Sequence, residues 1–147
     1  MKTERIEFLL VEDNEHDILF IQRAWEKCCL PHRLLVMPGG ESCLRFLRQR
    51  AANRKAGQAV PPLVVLLDDR MASKDGVEIL REIRDEDDLC HLPVVMLMAS
   101  NENYRKMKTY RMGANAYIVK PSGFDRLTTV VDLIARFWEL AELPDAG

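Results

Sequence analysis

Five consecutive apolar residues, Leu63 to Leu67, end without transition in two acids, Asp68 and Asp69. A run with no polar alternation suits a strand buried on both faces, and such strands belong to parallel sheets covered by helices on each side. Pro61 and Pro62 stand immediately before it and keep a central strand from starting earlier. A second, β-leaning run, IEFLLV at 6–11, likewise ends abruptly in acids, Glu12 and Asp13.

The rest of the chain alternates between two periodicities. Asn14 reads as a helix cap, with Glu15 and Asp17 in the first turn, where the helix dipole favours carboxylates. Ile18, Ile21, Trp25 and Cys28 follow at helical spacing, and Pro31 lies beyond them. A short strand at 33–37 leads through Pro38, Gly39 and Gly40 into a helix carrying Cys43, Leu44, Phe46 and Leu47. Residues 51–62 break the periodicity and read as a loop. Beyond 63–67 come a helix near 75–84, a strand at 93–98, a helix near 102–112 stopped by Gly113, a strand at 114–119 and a last helix. The order is βα five times. It predicts an α/β protein, a doubly wound (βα)5 sandwich on a five-stranded parallel sheet, with its functional crevice at the carboxyl ends of the strands.

A chain of 147 residues can bury a core without staples, and no linker or repeat divides it, so 1–147 reads as a single domain with no output domain. Hydrophobic residues make up 48% and the formal net charge is -2, a balance that gives no electrostatic footprint for nucleic acid. Cys28, Cys29, Cys43 and Cys90 lack zinc spacing, and His16, His32 and His91 are scattered, so none enters a metal site. The N-terminal apolar run is too short, and too soon broken by acids, for a signal peptide or a membrane span, which predicts a cytoplasmic protein.

Carboxylates at the ends of adjacent parallel strands converge on one crevice. Glu12 and Asp13 end the first strand and Asp68 and Asp69 the third, a hard-oxygen set suited to Mg2+, which takes a few carboxylates plus water and phosphate oxygens. Isolated strand-end acids often only cap helices, but two pairs on two buried strands are poorly explained that way. Lys120 follows the fifth strand and precedes Pro121, which puts an ammonium on the same edge. A nucleophilic carboxylate, a metal and a cation together suit aspartyl-phosphate chemistry.

With these motifs in order, the chain resembles a receiver domain of two-component response regulators over nearly its whole length. LLVEDN at 9–14 is similar to the family's acidic pair, LLDDRMASKDG at 66–76 to its phosphoacceptor strand and loop, and NAYIVKP at 115–121 to its lysine motif. The resemblance implies a flavodoxin-like fold. It implies a phosphoacceptor at Asp68, a metal site of Glu12, Asp13, Asp68 and the Arg70 backbone carbonyl, and a phosphoryl contact from Lys120. It also implies a Lys120–Pro121 bond that is often cis in the family, against a general X-Pro frequency of about 5–6%. The protein would receive its phosphoryl group from a sensor histidine kinase and signal by protein contact.

Three positions depart from the family. Met98 stands where a Thr or Ser usually hydrogen-bonds the phosphoryl group, and a thioether cannot donate that bond. Ser100 either substitutes for it or caps the next helix. Ala72 replaces a common proline. Arg70 admits two readings, a solvated arginine or a guard that pairs with Glu12 or shields Asp68. Tyr117 matches the family's moving aromatic, and Met98 packed beneath it would bias its rotamer. The alternative function is therefore a receiver-like binding module with altered or lost phosphorylation-dependent switching.

Two other activities on this fold fit less well. An aspartyl phosphatase needs a second acid two residues after its nucleophile, where Arg70 stands. A flavin or nucleotide carrier needs a phosphate-binding glycine loop, and none follows the first strand. The last helix carries a core stripe of Leu127, Val130, Ile134, Trp138 and Ala141. A second stripe of Leu133, Phe137 and Leu140 reads as either a wider core contact or a homodimer interface. The extended segment before the third strand and the FWEL end of the last helix resemble single-domain receivers paired with bacterial phytochrome kinases. Arg45, Arg48, Arg50, Arg54 and Lys55 read as a solvated basic face, with an acidic docking partner as the lesser option.

Overall fold

The computed structural model describes residues 5–72, 74–99 and 103–144. Its elements run β1 (Glu7–Val11), α1 (Glu15–Lys27), β2 (Arg33–Met37), α2 (Gly40–Lys55), β3 (Leu63–Asp68), α3 (Gly76–Asp85), β4 (Val94–Met98), α4 (Asn103–Arg111), β5 (Ala116–Val119) and α5 (Phe124–Leu140). The five strands form one parallel sheet in the order β2-β1-β3-β4-β5. The chain thus winds outward from β1 in one direction and returns past it in the other, and the reversal lies between β1 and β3.

Side chains alternate across each strand, so the central strands feed two cores. Leu9, Val11, Val65, Leu67, Met96 and Met98 pack with Leu44, Leu47, Ile79, Leu80 and Ile83 of α2 and α3. Phe8, Leu10, Val64, Leu66, Val95 and Leu97 pack with Ile21 and Trp25 of α1 and Leu127, Val131 and Ile134 of α5. All six residues of β3 are buried, which accounts for the unbroken apolar run Leu63–Leu67 that precedes Asp68. Burial of each such Leu or Val contributes about 1.5–3 kcal/mol relative to exposure.

Local signals act as the sequence predicts at several ends. The Asn14 side chain accepts from the Asp17 N–H at 2.9 Å and caps α1, and Asp75 caps α3 through the Val77 N–H. Gly113 closes α4 with a φ of 101°. Arg84 packs against this turn and donates to the carbonyls of Gly113, Cys90 and Leu92 and to Asn115 Oδ1. His32 is a core histidine. Its Nδ1 accepts from the Ile6 N–H, which leaves the proton on Nε2, 2.7 Å from Glu139.

Three expectations need correction. The loop expected from residue 51 begins only after Lys55, because Ala51, Ala52, Arg54 and Lys55 are good helix formers and Gly57, at φ 86°, supplies the stop. The fifth strand starts at Ala116 instead of 114, since the Ala114 N–H is held by the Thr109 carbonyl at the end of α4. The Lys120–Pro121 bond is trans, as are all peptide bonds among the described residues. Lys120 N–H continues the ladder to Met98 O at 2.8 Å without a cis bond, and trans is the lower-energy form by about 0.5–1 kcal/mol.

Candidate functional site

The carboxyl ends of β1, β3 and β5 meet on one edge of the sheet. Registry does this directly: Val11 lies opposite Leu67, so Glu12 and Asp13 emerge beside Asp68. Carboxylate oxygens of Glu12, Asp13 and Asp68 lie within 4.8 Å of one another. Glu12 and Asp68 are buried, while Asp13 is half-buried at the rim. Asp13 Oδ2 accepts the Ala72 N–H at 2.7 Å and Glu12 Oε2 the Asn14 N–H at 3.3 Å, so backbone amides fix both acids.

Lys120 closes the group from β5. Its Nζ lies 3.0 Å from Asp68 Oδ1, 3.1 Å from Glu12 Oε1 and 3.3 Å from Asp17 Oδ2. Burial pushes the Asp68 carboxyl up to about 7, and the hydrogen bond with Glu12 adds to the rise against the pull of Lys120. Burial acts against the charged form of Lys120, yet Asp68 and Glu12 outweigh it and raise its pKa.

Gly76 is what lets the loop after β3 fold back. A Cβ there would stand 2.0 Å from the Asp68 carbonyl oxygen, and its own N–H bonds the Asp69 carbonyl at 2.8 Å. Only a residue without a side chain fits this approach.

The remaining predicted positions surround this group. Asp69 points away from Asp68 as strand alternation requires, and its Oδ2 is held by Arg105 of α4 at 3.1 Å. Arg70 is exposed, with its Nε 3.8 Å from Asp69 Oδ2. Met98 is buried and Tyr117 half-buried against the same apolar cluster, and Tyr117 lies opposite Met96 across the β4–β5 pair. Ser100 lies outside the described residues. Sequence reasoning missed two participants. In the sequence Asp17 reads only as a dipole acid, although its place one turn after Asp13 is a usable signal. Arg105 gave no signal, because its partners Asp69 and Asp75 are far from it in sequence.

Three acids and Asp17 against the Lys120 ammonium leave the pocket with excess negative charge, two of the acids being buried. Such a set fits a divalent cation with oxygen ligands.

Residues 8–132 match the family of response regulator receiver domains. This chain belongs to that family. The receiver is 32% identical to response regulator Rcp1 of Synechocystis over 94% of this chain and 92% of that one. Among solved structures it resembles the phosphorylated cyanobacterial phytochrome response regulator RcpA, with a TM-score of 0.81 and 33% identity over 95% of this chain and 99% of that one. It also resembles the Mn2+-bound form of Rcp1, with a TM-score of 0.77 and 31% identity over 94% and 98%. The flavodoxin-like fold is therefore the receiver fold, and the chain is a response regulator module of two-component signalling. A receiver-like binding module with altered or lost phosphorylation-dependent switching is not favoured. No helix among the described residues is long and apolar enough to cross a membrane.

Proposed function

We propose that Asp68 is the phosphoacceptor of this receiver, charged by a sensor histidine kinase, and that Mg2+ is its metal. The observation that carries the reading is the placement of Lys120 Nζ within 3.1 Å of both Asp68 and Glu12, inside a three-carboxylate cluster. Glu12, Asp13 and Asp68, with the Arg70 backbone carbonyl, would hold the ion, which supplies positive charge against the oxygens of an incoming phosphoryl group.

The protein's own part follows from its geometry. One Asp68 oxygen attacks phosphorus, the bond from phosphorus to the kinase histidine nitrogen breaks, and that nitrogen keeps the electron pair. Lys120, paired to the other side of the same carboxylate, favours its ionised form against burial, keeps it oriented, and then faces the added charge. Buried walls exclude water from the acyl phosphate. Arg70, exposed at the mouth, acts as the guard, and a shorter phosphoryl lifetime in Arg70→Ala is the expected result. Met98 biases the Tyr117 ring in place of the usual hydroxyl coupling.

The similarity to RcpA, a phytochrome response regulator, supports a kinase of the phytochrome type, and the module works in the cytoplasm with output by contact between surfaces. Leu133, Phe137 and Leu140 are 60%, 59% and 84% exposed, and the first two border a groove of about 430 Å³ between α5 and β5. This apolar face supports a homodimer through the last helix, with no nucleic acid and no membrane among the partners.

Incubation of the protein with acetyl phosphate and Mg2+, followed by intact mass, tests the reading. Uptake of one phosphoryl group that requires Mg2+ and is absent in Asp68→Asn is expected. Equal uptake in Asp68→Asn would overturn it.

A further inference from the structure

Helix α4 is attached to the domain in an unusual way. Its sequence, NYRKMKTYR, has no apolar stripe, and among its described side chains from 105 to 111 only Thr109 is buried. The Thr109 hydroxyl is bonded within the helix itself, to Lys106 O. Met107 and Tyr110 are exposed, so among the described side chains of α4 the hydrophobic effect that fixes α1, α3 and α5 contributes less than it does there. Polar contacts remain. Tyr110 Oη accepts the Tyr117 N–H at 3.1 Å near the end of α4. Near its start, Arg105 Nε reaches Asp69 Oδ2 at 3.1 Å and its second nitrogen reaches Asp75 Oδ1 at 3.2 Å.

The Arg105 bridge is not a surface ion pair. The Asp69 side chain is 3% exposed and that of Arg105 20%. Asp69 Oδ1 is buried without a hydrogen-bond partner, so this carboxylate depends on the Arg105 guanidinium for much of its compensation. Both acids also belong to the machinery around Asp68. Asp69 is the next residue in the chain, and Asp75 caps α3 at the point where Gly76 packs on the Asp68 carbonyl. Charge added at Asp68 therefore arises one residue from the acid that holds α4.

We propose that the Asp69–Arg105–Asp75 bridge couples phosphorylation of Asp68 to α4, in place of the hydroxyl that Met98 lacks. The inference rests on the reading of Asp68 as phosphoacceptor. A phosphoryl group beside Asp69 increases the negative field on Arg105, strengthens its hold and orders the start of α4. The effect needs the guanidinium charge on α4 and the carboxylate charge at 69, and it needs no donor at position 98.

The test is backbone hydrogen exchange across 106–111 with Mg2+, with and without beryllium trifluoride, a stable mimic of a phosphoryl group on a carboxylate. In the native protein the mimic is expected to slow exchange in α4 by roughly five- to tenfold. Arg105→Met should bind the mimic yet lose the slowing, Arg105→Lys should keep part of it, and Asp69→Asn, which preserves shape, should weaken it. A merely structural Arg105 would raise exchange in both states and leave their ratio unchanged, and that ratio in Arg105→Met would overturn the proposal. So would mimic binding with no change in α4 of the native protein. Failure of the native protein to bind the mimic at all would instead overturn the reading of Asp68 and, with it, this inference.

Discussion

Lys120 Nζ stands 3.0 Å from Asp68 Oδ1 and is shared with Glu12, so one cation from β5 compensates two buried acids from β3 and β1. Removing it strands both. Lys120→Ala is expected to lower the stability of the metal-free protein by about 3–5 kcal/mol, the usual cost of breaking a buried pair. Urea denaturation with and without Mg2+ checks this, and Mg2+ should recover part of the loss.

The raised carboxyl of Asp68 gives a pH dependence with a definite sign. Its folded pKa, about 7, lies above the ordinary value of 3.8. The folded state then binds the proton more tightly, and the stability this contributes is full below about pH 4 and lost as pH rises through 7. Metal-free protein should therefore become less stable between pH 5 and 8. Mg2+ should flatten the dependence by favouring the ionised acid, and Asp68→Asn should remove the Asp68 component and gain about 1–3 kcal/mol at pH 8. Thermal melts across this range, with EDTA and with Mg2+, measure all three.

Gly76→Ala drives a Cβ into the Asp68 carbonyl, which stands 2.0 Å from that position. Because the obstacle is backbone, the end of β3 must move. A loss of about 3 kcal/mol is expected, with weaker metal binding than in the native protein. Calorimetric titration with Mn2+ reads the second effect separately.

Arg84→Met tests the scaffold behind the site. Arg84 holds the carbonyls of Gly113, Cys90 and Leu92, and its loss leaves these acceptors short of a donor. Destabilisation of about 3 kcal/mol is expected in urea. Metal affinity should be unchanged, since none of these groups touches the acidic cluster.

The exposed stripe on α5 gives an association prediction. Phe137→Asp places a charge in the middle of Leu133, Phe137 and Leu140 and should shift the protein to monomer in sedimentation without loss of stability. A native protein that is already monomeric at high concentration would contradict the interface.

The architecture was legible because its signals are local and repeated. The apolar run 63–67 announces burial on both faces, and the acids after it mark a carboxyl edge. Asn14 and Gly113 act through their own backbone neighbours. The acidic cluster was legible for a related reason, since parallel registry brings the ends of adjacent strands together whatever the loops do. The bridge from Arg105 to Asp69 was not, because it depends on how α4 lies across the domain, and no periodicity encodes that. The end of α2 is illegible in the sequence for a different reason. Arg50 is its last buried residue and none of 51–55 is buried, so the apolar spacing fades while the helix continues.

The proposed function of this receiver requires that Asp68 carry the phosphoryl group. Borohydride reduction of protein treated with acetyl phosphate and Mg2+ converts an acyl phosphate to homoserine, and peptide mass mapping then locates it. Homoserine at position 68 and nowhere else is the predicted result. Modification at Asp13, Asp69 or another residue with Asp68 intact would contradict it.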